Sequence, residues 1–154
     1  MRKLLMIAVG FLLITITTQA QILSPIKWSF SAAPVKGKAD VYRVSMTAVI
    51  EKGWHIYSQS TPDGGPSATK VTFAKNPLVL LGGKTTEVGK LHKEHSKEFG
   101  VDVLSDDGTV TFVQVVKVKK PGVKTVLSGT VEFMACDQSQ CLPPEEIPFE
   151  IELK

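Results

Sequence analysis

The feature that most constrains the fold is a period-two alternation of apolar and polar residues, which recurs along most of the chain after residue 21. Three alternating sets run from Tyr42 to Ile50, from Val110 to Val118 and from Leu127 to Ala135, and the second is broken by Gln114. A fourth set runs from Ile147 to Leu153. Because side chains of a strand point alternately to its two faces, each set predicts a strand with one buried face.

Turn signals separate these runs and predict short connections without intervening helices. Six to eight strands joined in this way favour an antiparallel β-sandwich. The signals are Lys52-Gly53, Pro62-Asp63-Gly64-Gly65-Pro66, Gly82-Gly83, Asp106-Asp107-Gly108 and Pro121-Gly122.

The polar stretch from Lys90 to Gly100 departs from this pattern. Its apolar or aromatic positions Leu91, His95 and Phe99 are four apart. That spacing fits a short turn of helix, and a long loop crossing one end of the sandwich fits it equally well.

Residues 1–20 have the three parts of a cleaved secretory signal. Arg2 and Lys3 give a basic start, Leu4 to Ile16 is an apolar stretch without charge, and Thr18-Gln19-Ala20 is a small-x-small cleavage site. The apolar stretch is shorter than the roughly 20 residues that span a bilayer as a helix. We therefore expect a mature chain that starts at Gln21, forms a single domain over residues 21–154, and is periplasmic or secreted.

The charge balance excludes some partners. Without Arg2 and Lys3, 16 basic residues face 15 acidic ones. This near-neutral balance gives no electrostatic reason to expect nucleic acid as a partner.

Two cysteines, Cys136 and Cys141, lie next to the strand that ends at Ala135 and are followed by Leu142-Pro143-Pro144. Two cysteines are too few to build a disulfide scaffold. A bond between them closes a loop of about six residues and stabilises the fold by roughly 2 kcal/mol, against about 4 to 5 for a bridge that closes 100 residues. The small loop at an exposed end of the sheet favours a redox role over a structural one.

Strand parity predicts that Cys136 points away from the main core, so that its sulfur is reachable from outside. The neighbouring Asp137, Glu145 and Glu146 disfavour a thiolate, and no basic residue lies within the motif. This suits a carrier whose disulfide is attacked by the thiolate of a partner.

Two motifs carry a resemblance to a known family. They are Gly53-Trp54-His55-Ile56-Tyr57-Ser58 and Cys136-x4-Cys141-Leu142-Pro143-Pro144-Glu145. With the signal segment and the strand pattern, they resemble the N-terminal periplasmic domain of the thiol:disulfide interchange protein DsbD, over roughly Ile26 to Leu153. Better-studied members have five residues between the cysteines, and this sequence has four. The resemblance is to a stand-alone version of the domain.

The resemblance implies an immunoglobulin-like sandwich with Cys136 and Cys141 as the redox pair, and by the resemblance we expect Cys136 to have the more reachable sulfur. It implies a protein-disulfide reductase type of activity, in which reducing equivalents pass between a membrane-embedded cysteine-pair carrier and thioredoxin-like periplasmic proteins. Phe99 is the candidate for an aromatic cap that shields the pair, and Tyr57 and His55 match aromatic positions near the site. We expect a monomer that uses no cofactor.

Two alternatives remain open. The spacing of His92 and His95 permits a metal site with the cysteines, but nothing else in the sequence requires one. We favour solvated members of a polar loop and expect no metal. The second alternative is a secreted β-sandwich binding module with a merely structural disulfide.

Overall fold

The structure is a computed structural model, and it describes residues 23–97 and 99–154. Every regular element within these residues is a strand, so the predicted all-β fold class is confirmed. There are more strands than the expected six to eight, because β3, β4 and β10 have only two to four residues and show no readable alternation. The strands are β1 (Ile26–Pro34), β2 (Val41–Ile50), β3 (His55–Tyr57), β4 (Lys70–Phe73), β5 (Val79–Val88), β6 (Leu91–Ser96), β7 (Val101–Asp106), β8 (Thr109–Val118), β9 (Thr125–Phe133), β10 (Ala135–Cys136) and β11 (Glu145–Leu153).

The strands form three antiparallel sheets. Their orders are β1-β2-β8-β5, β10-β3-β7-β6 and β11-β9-β4. The first and third sheets enclose the main core, where Trp28 of β1 packs against Phe133 of β9 with ring centroids 5.3 Å apart. The second sheet lies at the side of this sandwich and shares Ile56 and Ala135 with its core.

The four alternating sets form β2, β8, β9 and β11, and their apolar members point inward. Phe112 of β8 and Leu127 of β9 are fully buried, as are Met46 of β2 and Leu153 of β11. Burial of each such side chain contributes about 1.5 to 3 kcal/mol to folding, so these strands hold most of the hydrophobic stabilisation.

The pair Gly82-Gly83 is not a turn between strands, as the sequence suggested, but a bulge within β5. The register between β5 and β8 shifts between Gly82 and Thr86, and Gly83 has a positive φ of 78°. Buried Gln114 explains the bulge, because its Nε2 donates to the carbonyl oxygens of Gly82 and Gly83 at 3.4 and 3.3 Å. Its Oε1 accepts a hydrogen bond from Thr85 Oγ1 at 3.0 Å. The polar residue that interrupts the β8 alternation is therefore satisfied by the irregular backbone opposite it.

The stretch from Lys90 to Gly100 is neither a helical turn nor a long loop. It forms β6 and the turn of a hairpin with β7, and both expectations for this stretch were wrong. Most of its residues are exposed, so no apolar face marks the strand in the sequence. Main-chain pairing and an ion pair between Lys93 and Asp102 at 2.9 Å hold it instead. The hairpin connects β5 and β8, which pair directly with each other.

The chain changes sheet at Met134. β9 belongs to the third sheet and β10, which begins at Ala135, to the second. Ala135 completes the main core, whereas Cys136 lies in a separate small cluster. This change of sheet carries the first cysteine to the side of the sandwich.

The expected signal segment and the start at Gln21 lie outside the described residues. Residues 23–97 and 99–154 contain no helix with the length and hydrophobicity needed to cross a membrane.

Candidate functional site at the disulfide cleft

Cys136 and Cys141 form a disulfide across the end of a tight hairpin. Their Cα atoms lie 4.0 Å apart, and the two residues pair as an isolated antiparallel bridge. Asp137 N donates to Gln140 O at 2.9 Å on one side of the pair, and Leu142 N donates to Ala135 O at 2.8 Å on the other. The backbone thus holds the two cysteines opposite each other.

Asp137 organises the four residues between the cysteines. Its Oδ1 accepts hydrogen bonds from Ser139 N at 2.7 Å, from Ser139 Oγ at 2.8 Å and from Gln140 N at 2.8 Å. The bonds from Ser139 and Gln140 lower the pKa of Asp137, because they favour the carboxylate. The loop therefore carries a fixed negative charge next to the disulfide.

The two cysteines differ sharply in exposure. Cys136 is 1% exposed, whereas Cys141 is exposed at the surface. Parity correctly placed Cys136 outside the main core, but the expectation that its sulfur is the more reachable was wrong. Tyr57 of β3 and Val103 of β7 cover that face and form a second cluster with Cys136.

A cleft of about 720 Å³ opens beside the disulfide. Its floor is one face of the second sheet, to which each strand contributes alternate side chains. In order from the disulfide these are Cys136 of β10, His55 and Tyr57 of β3, Val103 and Ser105 of β7, and His92, Glu94 and Ser96 of β6. The β6–β7 hairpin, which the sequence did not predict, thus supplies the half of this floor that is farther from the disulfide.

Phe99 lies in the turn between β6 and β7 and lines the same cleft. The turn is held by hydrogen bonds from Phe99 N to Ser96 Oγ at 3.4 Å and from Gly100 N to Ser96 O at 2.8 Å. Gly100 has a φ of 69°, a left-handed conformation that favours glycine. Phe99 is 43% exposed, which leaves much of the ring on the surface of the cleft. Its role as a cap stays a prediction.

His55 lies directly opposite Cys136 in the pairing of β3 with β10. Its Nε2 is 3.3 Å from the hydroxyl oxygen of Tyr57, and the two rings meet edge to face with centroids 5.2 Å apart. Burial lowers the pKa of His55, and the nearby Glu94, Asp107 and Asp137 raise it to a lesser extent. The structure therefore brings both predicted supporting residues beside the disulfide.

Charged groups in the cleft are mainly acidic. Glu94, Asp107 and Asp137 line it, and His92 Nε2 lies 3.2 Å from Asp107 Oδ1. None of the described lining residues is a lysine or an arginine. A partner that enters the cleft therefore meets a negatively charged surface.

The histidines of the hypothetical metal site do not converge on the cysteines. His92 lines the cleft, whereas His95, three residues further along β6, pairs with Asp102 at 2.9 Å and is not among the lining residues. No group of three or more potential metal ligands occurs in the described parts of the chain.

Sequence reasoning missed a buried acid behind the cleft, Asp106, which has the half-buried Glu87 beside it. Asp106, at the end of β7, is fully buried, and burial followed by the proximity of Glu87 raises its pKa to about 7. Neither carboxylate oxygen of Asp106 has a hydrogen-bond donor among the described residues. The raised pKa means that Asp106 keeps its proton to a higher pH than an ordinary aspartate does. The sequence shows Asp106 only as part of an acidic turn, so nothing there marked it as buried.

Comparison with known proteins gives a family and a fold. The family described as "Thiol:disulfide interchange protein DsbD, N-terminal" matches residues 19–152. None of the curated proteins matches the chain. The reduced N-terminal domain of DsbD from Neisseria meningitidis is similar in structure, with a TM-score of 0.54 and 16% identity over 84% of this chain and 89% of that one.

The N-terminal periplasmic domain of ScsB from Proteus mirabilis is also similar. It has a TM-score of 0.51 and 14% identity, and the match covers 83% of this chain and 44% of that one. The likeness to the Neisseria domain confirms the predicted immunoglobulin-like sandwich.

Proposed function

The chain belongs to the family of the N-terminal domain of the thiol:disulfide interchange protein DsbD, and from this premise we propose that Cys136 and Cys141 are its redox pair. In this proposal the domain works in the periplasm. It passes reducing equivalents between a membrane-embedded cysteine-pair carrier and thioredoxin-like proteins, as a protein-disulfide reductase.

The observation that carries the proposal is that Cys136 and Cys141 differ in solvent exposure. Cys141 lies at the surface beside an open cleft, and Cys136 is buried beneath it. The bond closes only a small loop, so it contributes roughly 2 kcal/mol to stability and is a weak staple. In this arrangement a partner can attack the exposed Cys141, and the buried Cys136 can resolve the mixed disulfide. It therefore suits thiol-disulfide exchange better than structural stabilisation.

In the oxidised state, a thiolate of the donor attacks Sγ of Cys141. A donor–Cys141 disulfide forms, the Cys136–Cys141 bond breaks, and Cys136 leaves as a thiolate that takes up a proton. The second donor thiolate then attacks the donor's own sulfur in the mixed disulfide and releases Cys141. The donor is oxidised by two electrons and the pair is reduced.

In the reduced state the roles reverse. The Cys141 thiolate attacks one sulfur of the acceptor disulfide and displaces the other as a thiolate. Cys136 then attacks Sγ of Cys141, the protein disulfide re-forms, and the acceptor leaves as a dithiol. The acidic lining of the cleft favours an acceptor whose reactive cysteine is surrounded by basic or neutral residues.

The test compares C136A with C141A. Each variant is loaded with thionitrobenzoate on its remaining cysteine and mixed with a reduced thioredoxin whose second cysteine has been replaced. C136A should give a covalent complex and release thionitrobenzoate. C141A should load and cross-link at least ten-fold more slowly, because Cys136 is 1% exposed.

Equal rates for the two variants would contradict the assignment of Cys141 as the attacked residue. If neither variant cross-links, and reduced thioredoxin leaves the wild-type bond intact, the exchange function itself is wrong. The potential of the pair gives a second measure, since structural disulfides typically lie below about −300 mV.

A further inference from the structure

We propose that His55 is the general base that takes the proton from the Cys136 thiol when the reduced pair passes its electrons to an acceptor. The inference rests on the proposed function and adds a proton acceptor to it. It also assigns a separate chemical role to the strand that faces the disulfide.

The position of His55 comes from the pairing of β3 with β10. Cys136 and His55 are directly opposed across these antiparallel strands, and both side chains line the cleft. Opposed residues on one face of such a pair have Cβ atoms about 4.5 to 5.5 Å apart. The imidazole is therefore within reach of the Cys136 sulfur, directly or through one water molecule.

Cys136 needs such a partner because of its surroundings. It is 1% exposed and packs with Tyr57 and Val103, with Val101 and Met134 at the edge of the cluster. A thiolate in an apolar site is unfavourable without a nearby proton acceptor or positive charge. The adjacent Asp137 carboxylate makes it more so.

The protonation state of His55 suits a general base. Burial lowers the pKa of the imidazole, and the facing carboxylates of Asp137, Glu94 and Asp107 raise it only in part. The ring is therefore neutral near pH 7 and can accept a proton. After the transfer, the same three carboxylates stabilise the imidazolium.

Tyr57 positions the ring. With the proton on Nε2, His55 donates a hydrogen bond to the Tyr57 hydroxyl oxygen, and Nδ1 is then the nitrogen that accepts the thiol proton. His92, the other histidine of the cleft, lies on the distant strand β6 and pairs with Asp107.

The resolving step starts from the mixed disulfide between Cys141 and the acceptor. Cys136 gives its proton to His55, and its sulfur attacks Sγ of Cys141. The Cys136–Cys141 bond forms, the Cys141–acceptor bond breaks, and the electron pair leaves on the acceptor sulfur. That sulfur takes the proton back from the imidazolium, directly or through a water molecule, so His55 returns to its neutral form.

A single-turnover reaction of the reduced protein with dithiobis(nitrobenzoate) separates the two steps. The first equivalent of thionitrobenzoate reports attack by Cys141, and the second reports resolution by Cys136. In H55F and H55Q the second phase should slow by at least ten-fold near pH 7, while the first should change less than two-fold. H95Q is the matched control, because His95 lies on β6 outside the cleft lining and should leave both phases unchanged.

The pH profile distinguishes a base from a packing residue. In wild type the second phase should rise to a plateau through the pKa of His55, and in H55Q it should rise steadily with pH. Equal slowing of both phases, or an unchanged profile in H55Q, would overturn the assignment. A wild-type protein that never releases the second equivalent would instead refute the exchange function.

Discussion

Replacing the buried Asp106 with asparagine should stabilise the protein above neutral pH. Asp106 is fully buried, and neither of its carboxylate oxygens has a donor among the described residues when it is ionised. An asparagine amide is nearly isosteric, carries no charge and can donate a hydrogen bond to Glu87. The substitution therefore removes a buried charge and keeps the shape of the site.

The size of the expected gain in stability follows from the raised pKa of Asp106. Folding moves the pKa of Asp106 from an ordinary 3.8 to about 7, mainly through burial and secondly through Glu87. The folded state then binds the proton more tightly than the unfolded state, so wild-type stability falls as the pH rises from about 4 to about 7. At about 1.4 kcal/mol per pKa unit, an ionised Asp106 costs about 4 kcal/mol above pH 7. D106N should recover a large part of this and gain nothing near pH 4.

Urea unfolding of the oxidised protein at about pH 5 and about pH 8 measures this difference in the free energy of unfolding. The gap between D106N and wild type should be larger at the higher pH. D63N is the control, because Asp63 lies in an exposed turn and its substitution should change stability by less than about 0.5 kcal/mol at either pH. A gap that does not widen with pH, or a D106N protein that is less stable at pH 8, would refute the argument.

Two further changes test the cap and the core. Phe99→Ala should speed alkylation of the reduced pair by iodoacetamide several-fold, because the ring lines the cleft that leads to the cysteines; an unchanged rate would remove Phe99 from the site. Gly129→Ala should lower the free energy of unfolding by more than about 2 kcal/mol in a urea titration, since a Cβ there would overlap the Thr72 carbonyl oxygen and the Phe149 ring. Full stability of that variant would show that β9 can move away from its neighbours.

The strands that build the sandwich were readable because each has one buried face. Apolar residues alternate along β2, β8, β9 and β11, with Gln114 as the exception in β8, and the inward-facing ones lie in the core. β1 carries the same signal in Ile26, Trp28, Phe30 and Ala32, which sequence reasoning passed over. β6 could not be read in this way, because main-chain pairing holds a strand whose residues are mostly exposed.

The sequence singled out residues that the fold does bring together at the cleft, but it did not show how they are arranged. Strand parity correctly turned Cys136 away from the main core, but the residues that bury it come from β3 and β7, which are distant in sequence. The facing of His55 and Cys136 depends on a long-range strand pairing that no local pattern shows. Local sequence also offered no basic group for the thiol, and the fold brings one from 81 residues upstream.

The β6–β7 hairpin leaves the first sheet after β5 and returns to it at β8, and these two strands are neighbours in that sheet. The segment is therefore an excursion whose two ends are fixed close together by a ladder that does not depend on it. Its tip, around Phe99, can lengthen, shorten or change composition without rethreading the core. Because this tip also lines the cleft, changes in it can alter the shape of the site while the framework that presents the disulfide stays constant. The whole hairpin is therefore the segment to transfer when the sites of two relatives are compared by grafting.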